Sequence, residues 1–186
     1  MKEIKEIFHN FEPDYLENAN PQEISDALKN IHCGNRAIDK QMNNLKANIE
    51  TLRKIENHFG SLDNYFSNNS SQTISFDLSV GKYKLKQMGM PLVSEFIKGM
   101  GVDTVKPDVH LCRIIGRLGF SKNSPNSANF NEVFEVCEKI SKDSNTPQAV
   151  VDSILWQYCA NDKAEICQNK PKCNICLVKN CKYRKN

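Results

Sequence analysis

Along most of the chain, apolar residues recur at three- and four-residue steps, the period of a helix with one buried face. Ile24, Leu28 and Ile31 mark the first clear stretch, and Asn20-Pro21 ahead of them supplies a cap and a first-turn proline. Residues 36–59 place Ile38, Met42, Leu45, Ile49, Leu52 and Ile55 on one face and predict a single long helix, ended by Gly60. Ser61-Leu62-Asp63 opens a short helix, and a polar loop is expected over 68–72. Leu92, Phe96 and Met100 pace a helix behind Pro91. Pro107 is expected to start another, running through Leu111, Ile114, Ile115 and Leu118 to Gly119. A Ser/Asn/Pro loop follows over 121–129, and 130–141 and 147–158 read as the last long helices. No strand alternation or internal repeat stands out, so the expected class is all-α.

The 186 residues, 39% hydrophobic, suit one domain or two small lobes. No apolar run is long enough to span a membrane. The opening Met1-Lys2-Glu3-Ile4-Lys5-Glu6 is charged and has no signal-peptide apolar stretch, so a cytoplasmic protein with no membrane partner is expected.

In that setting the eight cysteines are read as thiols or metal ligands rather than disulfides. Cys33, Cys112, Cys137 and Cys159 are isolated and read as small buried hydrophobes. Cys167, Cys173, Cys176 and Cys181 are different, forming Cys-x5-Cys-x2-Cys-x4-Cys. Four thiolates so closely spaced can share a metal centre, and both zinc and iron–sulfur clusters accept four cysteines.

Charge sharpens the picture at the same end. The net charge is +3, yet from Cys167 onward six basic residues (Lys170, Lys172, Lys179, Lys182, Arg184 and Lys185) meet no acid, leaving the rest at −3. A cationic patch on a near-neutral body suits a phosphate backbone. A solvated basic tail is the plainer alternative.

Two further stretches carry candidate chemistry. In Lys84-Leu85-Lys86-Gln87-Met88-Gly89-Met90-Pro91, a turn with Gly89 can turn backbone N–H groups outward, ahead of a helix whose N-terminus attracts anions. Lys84 and Lys86 flank it, which makes a DNA-phosphate clamp, although one glycine at a corner between helices is common. In Val105-Lys106-Pro107-Asp108-Val109-His110-Leu111-Cys112-Arg113, Asp108 is expected in the first turn of a helix begun by Pro107. Helix capping is the plain reading of Asp108, and a solvated face that of Arg113 and Arg117.

Taken in order, these stretches resemble the helix-hairpin-helix superfamily of DNA base-excision glycosylases. Residues 85–93 correspond to its hairpin, and 106–119 are similar to its Val-Asp-x-His-x-x-Arg-x-x-x-Arg signature. The tail Lys170-Pro171-Lys172-Cys173-Asn174-Ile175-Cys176 resembles the iron–sulfur loop of the endonuclease III branch. Its cysteine spacing is one residue shorter in two intervals. Phe11-Glu12-Pro13, Asn35-Arg36, His58–Tyr65 and Gly89-Met90-Pro91 resemble 3-methyladenine DNA glycosylase I instead.

The resemblance implies an all-α helix-hairpin-helix glycosylase-like fold, N-terminally short. It has a helical core over 1–160, the hairpin at about 84–100, the Asp-bearing helix at 106–119 and a four-cysteine loop at 161–186. It implies DNA repair by base excision on duplex DNA containing a damaged base, acting near the nucleoid if the source is prokaryotic. The base would be flipped out, and Asp108 would be the catalytic carboxylate, stabilising the cationic sugar or positioning water. Lys84, Lys86, Gly89, Met90, Lys170 and Lys172 would bind DNA. Cys167, Cys173, Cys176 and Cys181 would hold a 4Fe-4S cluster, with zinc as the alternative.

The lysine nucleophile of bifunctional members aligns with Met90 or Pro91, neither of which can attack a sugar, so a monofunctional DNA glycosylase is expected. Gln87 replaces the hairpin's first glycine. The helical segment that precedes Phe8–Pro13 in both relatives has no counterpart, so a partner or a further segment would complete the base pocket. Tyr65, Phe66, His110 and Trp156 are the aromatic candidates for that pocket. The competing reading is a non-catalytic, metal-cluster-containing DNA-binding protein.

Overall fold

The computed structural model describes residues 2–122 and 124–184, which leaves Lys185 of the basic tail outside the described residues. These are helical, with no strand among them. In chain order the helices are α1 (Lys2–Ile7), α2 (Pro13–Asn18), α3 (Pro21–Asn30), α4 (Ile38–Asn43), α5 (Leu45–Phe59) and α6 (Leu62–Asn68). Then come α7 (Ser71–Ser79), α8 (Met90–Gly99), α9 (Val109–Leu118), α10 (Phe130–Ser144) and α11 (Gln148–Cys159). A 3-10 turn, His9–Phe11, lies between α1 and α2, and the chain beyond α11 runs as turns.

The chain divides into two compact units. Unit 1 comprises residues up to Asn68 with Asp77–Met88; unit 2 comprises Asn69–Phe76 with the residues from Gly89 on.

In unit 1, Leu16, Ile24, Leu28 and Ile38 pack together from α2, α3 and α4. Asn20 caps α3 by accepting from the Gln22 N–H at 3.0 Å. The helix expected over 36–59 is broken at Asn44 (φ −104°, ψ 1°), whose side-chain amide donates to the Lys40 carbonyl at 2.7 Å. Such local side-chain bonds offer the backbone an alternative to helix, and here the alternative wins. Tyr65 and Phe66 are buried, with the Tyr65 ring tilted against Phe59 and Phe66 and edge-on to Tyr83. Their role is core packing, not a base pocket.

The expected polar loop over 68–72 is shorter than that, because α7 begins at Ser71. Ser70 starts it by accepting the Thr73 N–H at 3.1 Å, and Ile74 and Leu78 are fully buried.

In unit 2, α9 lies at the centre of a core built from Leu111, Cys112, Ile114 and Ile115 with Val133, Phe134 and Cys137 of α10 and Val151 and Cys159 of α11. Burial raises the Cys112 thiol to about 11 and the Cys137 thiol to about 12, as inert structural cysteines require. Gly116 is needed by close approach, since a Cβ there would stand 2.5 Å from the Ser127 backbone N. Asn129 and Glu132 form a reciprocal capping box at the start of α10.

Candidate functional site

The four clustered cysteines come together. Cys167, Cys173, Cys176 and Cys181 line one cavity in unit 2, along with Arg117 and Tyr183. Its volume is about 30 Å³.

The loop is fixed from below by α9 and α11. Arg117, expected on a solvated face, is only 6% exposed. Its guanidinium donates to the carbonyls of Cys167 (3.4 Å), Gln168 (2.5 Å) and Asn169 (3.2 Å). It also lies 4.6 Å from the Tyr183 ring centroid. One planar cation thus gathers the carbonyls of three consecutive residues, which a lysine could not do. The Tyr158 carbonyl accepts the N–H groups of Ile166 and Cys167. Gly119 ends α9 at φ 92°, and a Cβ there would sit 2.3 Å from Lys182 of the loop.

Two of the sulfurs receive donors, while Cys181 Sγ donates to the Arg117 carbonyl at 3.2 Å. Arg117 Nη1 lies 3.5 Å from Cys167 Sγ. The Tyr158 hydroxyl donates to Cys176 Sγ at 3.4 Å while accepting the Leu177 N–H at 3.2 Å. Cys159, expected to stand alone, neighbours Cys167, and together with Arg117 and Arg113 it lowers the Cys167 thiol to about 6. The same neighbour, with burial, raises Cys159. Among the described residues, no three His, Cys, Asp or Glu side chains converge tightly enough to hold a single metal ion.

Asp108 is not in the first turn. It is the N-cap of α9, which starts at Val109, two residues later than Pro107 suggested. Asp108 Oδ1 accepts the N–H groups of His110 (2.8 Å) and Leu111 (3.2 Å). The carboxylate is half-buried at the positive end of a ten-residue helix. His110 packs edge-on against Trp156, with ring centroids 6.1 Å apart.

Of the expected DNA-binding residues, Lys84 and Lys86 are exposed in unit 1. They line a concavity of about 530 Å³ with Thr51, Lys54, His58, Lys82 and Tyr83. No acid lines it. Asn48 of α5 holds the Lys86 backbone at both ends, accepting its N–H at 2.6 Å and donating to its carbonyl at 3.1 Å. Thr51, Lys54 and His58 follow Asn48 at helical steps on that side of α5. Sequence reading missed Lys54, His58 and Lys82 because one helix face and a distant turn supply them; the 48-51-54-58 spacing was the available signal.

Gln87 has φ 61°, the left-handed conformation in which glycine is at ease, so the turn keeps a glycine-type backbone without the glycine. Gly89 is exposed and caps α8 in unit 2, while Met90 packs against the unit 2 core. Lys170 and Lys172 are exposed, and Lys172 pairs with Glu165 at 3.2 Å, just outside the acid-free stretch.

No described helix is long and apolar enough to cross a membrane. Compared with known proteins, the chain matches no family model, no curated protein and no solved structure.

Proposed function

We propose that this chain is a monofunctional DNA glycosylase of helix-hairpin-helix type with a 4Fe-4S cluster in its C-terminal loop. The observation that carries the reading is the gathering of all four cysteines around one cavity seated on the helix that Asp108 caps. Cys167, Cys173, Cys176 and Cys181 would hold the cluster, one thiolate to each iron.

Four thiols lining one cavity are a donor set that an iron–sulfur cluster takes, with zinc on the same four as the alternative. Hydrogen bonds to the sulfurs of Cys167 and Cys176 suit thiolate ligands. When bound, the cluster would cross-link the loop and so fix Lys170 and Lys172 for phosphate contact.

Duplex DNA would be met by the lysine concavity of unit 1 and by the start of α8, where Gly89 leaves the backbone open to a phosphate. In catalysis, Asp108 would stabilise positive charge on the sugar as the base departs. Its two backbone hydrogen bonds hold it oriented, a preorganised electrostatic role. Water would complete the hydrolysis and leave an abasic strand uncut.

The same two hydrogen bonds favour a second reading, in which Asp108 only caps α9 and the protein binds DNA without cutting a bond. Asp108→Asn separates the two, because Asn caps as well as Asp but carries no charge. Base excision that falls by two or more orders of magnitude in this variant supports catalysis. Equal excision by both proteins would remove Asp108 from the chemistry.

A further inference from the structure

Unit 2 contains a second cleft, of about 250 Å³, that none of the roles above uses. Glu95 and Lys98 of α8, Lys106 ahead of α9, and Asp152, Ser153 and Trp156 of α11 line it. Lys98 Nζ meets Asp152 Oδ2 at 2.7 Å and Glu95 at 3.2 Å; Lys106 reaches Glu95 only at 3.8 Å. Asp152 is 4% exposed, and its Oδ1 is buried with no hydrogen-bond partner. Burial raises the Asp152 carboxyl against the pull of Lys98, with the Asp108 charge adding to the rise. The Lys106 backbone N–H draws the carboxyl down in turn.

A buried acceptor without a donor is costly, and such groups ask for an explanation. Here the unmet acceptor belongs to a cleft wall. Lys106, held by one long contact, can donate to an acceptor beside it. The four charged groups sum to zero, which disfavours an ion and favours a neutral polar guest. Trp156 gives one wall a flat aromatic surface for stacking. The guest therefore needs a planar ring with an N–H donor next to a carbonyl or ring-nitrogen acceptor.

We infer that this cleft binds a free or extruded nucleobase, stacked by Trp156, with Asp152 accepting its N–H and Lys106 donating to its acceptor edge. The inference deepens the glycosylase reading by giving the base a seat, and it can be tested without any excision.

Trp156 is the only tryptophan in the chain, so its fluorescence reports the surroundings of this cleft. The intact protein is titrated with adenine, 3-methyladenine, hypoxanthine and uracil, with ribose 5-phosphate as a non-planar control. Saturable quenching by at least one base and none by the sugar phosphate is expected. Asp152→Asn should weaken that base roughly tenfold, as loss of a charged acceptor does. Ser153→Phe, at an exposed position, should block binding while leaving the thermal transition unchanged, which guards against misfolding of the Asp152 variant. The absence of saturable quenching by every base would overturn the inference, as would equal quenching by ribose 5-phosphate or undiminished binding by the folded Ser153→Phe protein. Base binding without excision from DNA would instead defeat the glycosylase reading and leave the cleft standing.

Discussion

The cysteine cavity of unit 2 and the lysine concavity of unit 1 meet opposite demands. A cluster at the cavity would need the sulfurs to point to one place, and a nearly buried arginine, two backbone carbonyls of α9 and α11 and a tyrosine hydroxyl hold the loop that carries them. At the concavity only the backbone is held, by the Asn48 clamp on Lys86, while the lysine side chains stay in water. Coordination is directional and is lost with a displaced ligand. Attraction to a phosphate backbone is long-ranged and tolerates mobile side chains. Substitutions should therefore act steeply and cooperatively in the first region, and gradually and additively in the second.

The largest effect is expected at the proposed ligands. Cys173→Ser or Cys176→Ser should abolish cluster incorporation, read as loss of iron and sulfide from anaerobically purified protein. Full retention of both elements would show that these cysteines are not ligands. Arg117→Met should come next, because it leaves the carbonyls of Cys167, Gln168 and Asn169 without their donor. Hydrogen bonds from a charged group are worth ~1.5–3 kcal/mol each, so a loss of about 3 kcal/mol in urea unfolding is expected. Arg117→Lys should recover less than half of it. A loss under about 0.5 kcal/mol, the size of a surface change, would mean the loop holds itself.

In unit 1, Lys54→Gln, Lys82→Gln, Lys84→Gln and Lys86→Gln should each reduce the salt dependence of duplex binding. Each phosphate contact contributes about 0.9 to the slope of log K against log salt, and the losses should add. A slope unchanged in the quadruple variant would remove the concavity from DNA binding. Gln87→Gly should stabilise the protein by roughly 1 kcal/mol, since a left-handed residue with a Cβ costs about that much. Destabilisation would show that the Gln87 side chain matters more than its backbone.

The smallest effect concerns acid. The backbone N–H groups of Asn129 and Lys122, and the Ser121 hydroxyl, hold the Glu132 carboxyl below the ordinary carboxylate range. A lowered folded-state value means that the contribution is complete above the unfolded value near ~4.3 and is lost as pH falls through the folded one. Glu132→Gln should thus differ most from wild type above pH ~5 and converge with it in stronger acid. A gap that widens on acidification would reverse the sign.

Much of the fold was legible because helical period and caps are local. Asn20, Gly60, Gly119 and Asn129 stand at or beside the helix ends where such residues belong. The break at Asn44 was not legible, since the apolar face of 36–59 continues across it and only the Asn44–Lys40 bond interrupts the helix. The start of α7 was hidden under Ser and Gln, which read as loop until Ile74 and Leu78 are seen buried. At the site, the grouping of four cysteines followed from spacing alone. The burial of Arg117 did not, because its partners are carbonyls fifty residues away and carbonyls have no sequence signature. Asp152 escaped for a related reason: a lone acid in an apolar helix shows neither its Lys98 partner nor its buried, unpartnered oxygen.

The most direct test is single-turnover base release from duplexes bearing alkylated, deaminated or oxidised bases. Anaerobically purified protein, with iron, sulfide and zinc quantified in the same sample, is run beside Asp108→Asn. Release of one class of base that depends on Asp108 and leaves the abasic strand uncut is the expected result. Folded, iron-replete protein that releases no base from any of these duplexes would contradict it.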